Sequence, residues 1–183
     1  MSLFGTILSS FVILLSMNIH VKRVPKYFNR SIIEKWSLYL AKLFMLEYDI
    51  VLEIKNIKRD KDTPKGEMCF GLCNVGDGNW HEITINSILL KDKVYVQFLD
   101  VMVHEFFHCI DHEKIFDDIG KIKEDDNWDK KVSKVVDRHT TKTKRAFSED
   151  RAYNMGFFLS EVLYPRFKKD LKKHGIVEKW IHD

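Results

Sequence analysis

The sequence predicts an α+β fold: a small, mostly antiparallel sheet of three or more strands, packed on one central helix and further helices. Two observations lead there. Apolar residues alternate with period two around residues 49–57, and short apolar runs recur at 68–73 and 81–85, whereas helical spacing governs 31–48, 97–113 and 149–163. No repeat or low-complexity tract interrupts the chain, and its three prolines mark no second unit, so residues 21–183 read as a single domain.

At 183 residues and 45% hydrophobic content, the chain is large enough to bury a core without covalent staples. Its 30 Lys and Arg nearly balance 27 Asp and Glu, and a formal charge of +3 gives no reason to expect a nucleic-acid partner. Three cysteines, Cys69, Cys73 and Cys109, are an odd number that favours a reducing, cytoplasmic compartment over a disulfide framework. A Cys69–Cys73 bridge stays open, but the spacing is not that of a zinc knuckle.

Residues 1–20 form a separate hydrophobic segment. Residues 1–19 carry no charge, and Lys22, Arg23, Lys26 and Arg30 follow at once. One reading is a membrane anchor with its basic flank, and therefore the domain, in the cytoplasm. A second is a buried N-terminal strand or helix, since the run sits near the lower limit for a span, about 17 residues. A third is that Met17 begins the natural chain.

The elements follow in order. Across 31–48, Ile32, Ile33, Trp36, Leu40, Leu43 and Phe44 recur at helical spacing. Ile50, Leu52 and Ile54 then alternate with Val51, Glu53 and Lys55 as a half-buried strand. Residues 59–66, through Pro64 and Gly66, read as a solvated turn. The runs at 68–73 and 81–85 flank a Gly- and Asp-containing stretch, 74–79, that suits a hairpin connection. From 97 to 113, Phe98, Leu99, Met102, Val103, Phe106, Phe107 and Ile110 cover much of a helical cylinder, so that helix is expected to be largely buried. Residues 113–144 are highly charged and read as exposed turns with a short helix. Ala152, Met155, Leu159 and Leu163 restore helical spacing over 149–163, Pro165 is expected to close that helix, and Lys168, Lys169, Lys172 and Lys173 read as a solvated basic face.

Within the buried helix the string His104-Glu105-Phe106-Phe107-His108 carries the chemistry. Residues four apart share one helix face, about 5–6 Å between Cβ atoms, so two imidazoles can converge on one metal ion. Glu105, one position round, can reach a metal-activated water as general base without becoming a ligand. With this chain's His and Glu frequencies the pattern arises by chance in roughly one sequence in fifty, and an uncompensated Glu105 among phenylalanines would cost several kcal/mol. The motif therefore predicts a Zn2+ site rather than a pair of core histidines.

A catalytic zinc takes three protein ligands. His112 continues the stripe but lies another turn along, about 6 Å further, out of ready reach of an ion held by the first two. Glu149, on the next amphipathic helix, is the preferred third ligand, with Asp150, His139 and His112 as the alternatives; acids after a serine at a helix start are also favoured by capping and the helix dipole. Asp111 is placed to orient a ligand imidazole. Tyr153 reads either as core filler or as an oxyanion donor, and Lys142, Lys144 and Arg145 as a solvated loop.

The arrangement, an HExxH helix followed by a separate helix bearing Glu149, resembles gluzincin-type metallopeptidases. Glu149-Asp150-Arg151-Ala152, leading to Leu159, Leu163 and Pro165, looks like the Glu-x-x-Ala helix of the ImmA/IrrE-like peptidases, and the compact length is similar to the SprT-like minimal fold. The resemblance covers about residues 68–165. It implies a small zincin-like domain with the strand near 83–86 at the edge of a cleft, where an extended peptide adds as a strand. The charged stretch 113–147 departs from the short connection of that pattern, and no metzincin-type extension follows His108.

The expected function is a zinc metallopeptidase that cleaves a peptide or protein substrate, with His104, His108 and Glu149 on the metal and Glu105 as general base. The alternative is a catalytically inactive zincin-like module serving protein binding or structure. Oligomeric state does not follow from these residues.

Overall fold

A computed structural model describes residues 17–57, 68–76, 80–125 and 127–177. Four strands and five helices lie among them: β1 (Ile19–Arg23), α1 (Arg30–Leu43), β2 (Ile50–Lys55), β3 (Gly71–Val75), β4 (His81–Asn86), α2 (Ile88–Lys91), α3 (Tyr95–Gly120), α4 (Trp128–His139) and α5 (Lys142–Lys173). The α+β class is as the sequence predicts.

The sheet runs in the order β1-β2-β4-β3, with β1 parallel to β2, β2 parallel to β4, and β3 antiparallel to β4. The expectation of a mostly antiparallel sheet is thus corrected: two of the three pairings are parallel. Connection length explains it. A parallel pair needs a crossover of a dozen residues or more, and α1 supplies one between β1 and β2. Only the short link between β3 and β4 makes the antiparallel pair that the 74–79 stretch suggested. A second correction concerns the cleft edge. The strand at 83–86 lies within β4, which is paired on both sides, so among the described residues the edge strand on this flank is β3.

Period two decides the buried face. Val21 pairs with Leu52, Leu52 with Ile83, and Ile54 with Ile85, and all are buried beneath the helices. α1 starts where the Asn29 side chain accepts a hydrogen bond from the Ser31 amide, and it buries Ile32, Ile33, Trp36 and Leu40. β1 begins at Ile19, with Met17 and Val21 in the core, while residues 1–16 of the hydrophobic N-terminal segment lie outside the described residues. No helix among the described residues is long and apolar enough to cross a membrane.

α3 extends beyond the predicted end at Glu113 to Gly120, because Ile115 and Phe116 continue its buried stripe. The charged stretch then holds α4, of which no residue is buried. α5 departs most from expectation. It starts at Lys142, with the Thr141 side chain accepting from the Lys144 amide, so Ser148 and Glu149 sit in its second turn rather than at a cap. It also runs through Pro165. A mid-helix proline costs about 3 kcal/mol. Burial of Leu163, Phe167 and Leu171 offsets it, as do the hydrogen bonds that Lys35 Nζ (2.6 Å) and Trp36 Nε1 (2.9 Å) donate to Asp170 Oδ2.

Candidate metal centre

α5 packs along α3, and Gly156 lets it approach closely: a Cβ there would lie 2.6 Å from Asp100 Oδ1 and 3.1 Å from the Asp100 carbonyl oxygen. Antiparallel to α3 at this separation, α5 brings Glu149 over the turn between His104 and His108. The Nε2 atoms of His104 and His108 are 3.0 Å apart, and Glu149 Oε2 lies 3.4 Å from the first and 3.5 Å from the second. Three donor atoms on a tetrahedral zinc with bonds of about 2.0–2.1 Å stand about 3.3–3.4 Å apart. The donor set and its spacing therefore fit zinc. Both imidazoles are partly exposed and the Glu149 side chain is open to solvent, so water can enter.

Hydrogen bonds to His104 and His108 hold the Glu149 carboxyl well below the usual carboxylate range, so it is anionic as a ligand must be. Glu105 is pushed the other way. Burial raises its pKa to about 7, with the charge of Glu149 adding to the rise and His104 opposing it. Only 5% exposed, Glu105 has room because Gly71, the first residue of β3, faces its carboxyl: a Cβ on Gly71 would lie 2.2 Å from Glu105 Oε1 and 2.7 Å from both Cδ and Cγ. Two bonds pin this end of β3, from Asn86 Nδ2 to the Cys69 carbonyl and from the Asn86 amide to the Phe70 carbonyl.

The rivals for third ligand are engaged elsewhere. His112 stacks on His81 and has its Nδ1 3.6 Å from Cys73 Sγ. His139 Nε2 pairs with Asp118 Oδ2 at 3.0 Å, and Asp150 is exposed outside the cluster. Among the described residues, His104, His108 and Glu149 are the one group of three such side chains within metal-binding distance. Asp111 does not touch a ligand imidazole directly. Ser148 stands between them, with its Oγ 3.2 Å from His108 Nδ1 and donating to Asp111 Oδ2 at 2.7 Å. Tyr153 is 67% exposed, so it is not core filler. Lys142, Lys144 and Arg145 are exposed.

A groove of about 310 Å³ runs between Phe107, Arg151, Asn154, Met155 and Phe158. None of the three clustered side chains lines it, so the ligand geometry rather than the groove marks the candidate site. Sequence reasoning missed Ser148, Gly71 and Gly156. Ser148 was legible only as a presumed cap, and neither glycine stands in a turn-like context that would single it out. No family model, no curated protein and no solved structure matches the chain.

Proposed function

We propose that the chain is a zinc-dependent hydrolase of peptide bonds. One observation carries the reading: two imidazoles and a carboxylate converge at zinc-like spacing beside a buried, protonatable Glu105 on the same helical turn. His104, His108 and Glu149 hold the ion, which when bound supplies Lewis acidity towards the scissile carbonyl and lowers the pKa of water.

The remaining work falls to the protein. Glu105 takes a proton from the attacking water and returns it to the leaving amine, a role open to a carboxylate one position round the helix from the two histidines. Gly71 keeps that carboxyl free of the strand above it. The outer side of β3 offers unpaired backbone groups, among the described residues, to an extended peptide laid beside the site, which favours a peptide over a compact small molecule.

Elemental analysis tests the reading, paired with turnover of a quenched-fluorescent peptide library, on the parent, Glu149→Ala and Glu105→Gln. About one zinc per chain is expected in the parent and in Glu105→Gln, with loss in Glu149→Ala. Hydrolysis is expected from the parent and lost in Glu149→Ala, with Glu105→Gln slower than the parent by about 10²-fold or more. A folded parent that takes up no zinc when it is supplied overturns the enzyme and leaves a binding module.

A further inference from the structure

We infer that Ser148 and Asp111 form a positioning relay that fixes the tautomer of His108 and the seat of Glu149. The inference rests on the metal reading above. It follows from counting hydrogens. Asp111 is ion-paired twice through Oδ1, with Lys114 Nζ at 2.8 Å and Arg151 Nη1 at 3.6 Å, so near neutral pH it is a carboxylate with no hydrogen to give. Its other oxygen, Oδ2, lies 2.7 Å from Ser148 Oγ, and the single hydroxyl hydrogen must be spent there.

Ser148 Oγ then has only lone pairs left for His108 Nδ1, 3.2 Å away. The hydrogen of that contact must therefore come from the imidazole. A neutral histidine protonated at Nδ1 carries its lone pair on Nε2, the nitrogen that faces His104 Nε2 and Glu149 Oε2. The relay thus presents His108 as a ligand, and the carboxylate at its far end strengthens the imidazole as a donor.

The same contacts place the third ligand. Ser148 immediately precedes Glu149 on α5, while Asp111 and His108 are one turn apart on α3. Both anchors from α5 to Asp111, Ser148 and Arg151, flank Glu149 in sequence. Translation or rotation of α5 that would withdraw Glu149 must break them. A serine acting only as helix-surface filler would need none of this alignment.

The test measures zinc dissociation constants by competition with a chromophoric chelator. It uses the full-length chain as parent, Ser148→Ala, Ser148→Thr, Asp111→Ala and the double variant Ser148→Ala/Asp111→Ala, with thermal unfolding of each zinc-free form. Ser148→Ala is expected to weaken zinc about 10-fold or more, and Ser148→Thr, which keeps the hydroxyl, to recover most of that loss. The double variant is expected to bind little more weakly than the weaker single variant, because the two residues act as one unit. Parent-like affinity in Ser148→Ala overturns the relay, whether or not the zinc-free form melts lower. So does an equal loss in Ser148→Ala and Ser148→Thr. A parent that binds no zinc overturns the metal centre itself and the relay with it, which separates the two failures.

Discussion

Two polar clusters share helix α3 and differ in everything but spacing. At one, His104 and His108 turn their Nε2 atoms to a solvent-open carboxylate from α5. At the other, one turn on, His112 and Cys109 meet Cys73 of β3, with sulfurs 3.7 Å apart and His112 Nδ1 3.6 Å from Cys73. The His81 ring stacks on His112 and sits against Tyr48 and Phe116, while His81 Nε2 lies 3.4 Å from Glu113 Oε1. Burial pushes the Cys73 thiol well above its ordinary pKa, so a neutral thiol faces His112 where the Glu149 carboxylate faces His104 and His108. Helical spacing puts His104, His108 and His112 on one stripe; the element packed opposite decides which of them meet a carboxylate and which meet a thiol.

The largest test of that contrast is a pair of alanine substitutions read by chelator competition. His104→Ala is expected to weaken zinc by about 100-fold or more, and His112→Ala by less than about 3-fold. Equal losses would mean that the two clusters form one site, and the comparison would break.

Strand β3 touches both clusters, Gly71 facing Glu105 and Cys73 facing His112, and so allows a finer test. Gly71→Ala drives a Cβ into the Glu105 carboxyl, which has a flexible chain and can be pushed aside. Zinc affinity is expected to stay within about 3-fold of the parent, while peptide hydrolysis falls by about 10²-fold, the share a general base supplies. Steady-state kinetics with metal analysis checks this, and unchanged turnover would remove Glu105 from the role of base.

The smallest effect belongs to the far end of α5, remote from both clusters. Burial works to raise the Asp170 carboxyl, but hydrogen bonds from Lys35 and Trp36 outweigh it and leave the pKa below its ordinary value. A lowered folded-state pKa contributes stability that is complete above the unfolded value, about 3.9, and is lost as the pH falls through the folded one. Asp170→Asn is therefore expected to cost about 1 kcal/mol at neutral pH, in urea unfolding, with the gap to the parent closing in acid. A gap that widened below pH 4, the ordinary carboxylate range, would contradict the sign.

Much of the helical and strand placement was legible because burial here follows simple periods. Ile50, Leu52 and Ile54 alternate and point inward, and Phe98, Leu99, Met102 and Phe106 wrap a helix that is buried. The reading failed where a distant contact overrode a local signal. Pro165 ought to end a helix on local grounds, yet Phe167 against Trp36 and Asp170 beside Lys35 carry α5 past it. The parallel pairing of β1 with β2 was hidden because periodicity reports which face of a strand is buried, not which neighbour lies beside it.

The sequence by itself determined the stripe of His104 and His108, with Glu105 one position round, since those relations are set by the 3.6-residue turn of one helix. Only the tertiary structure decided that Glu149 rather than Asp150, His139 or His112 joins the stripe, that Ser148 stands between Asp111 and His108, and that Gly71 leaves space for Glu105. The physical reason is range. His108 and Ser148 are 40 positions apart, so their meeting depends on how closely two helices pack, and here that closeness depends on Gly156, which has no side chain to hold α5 away from α3.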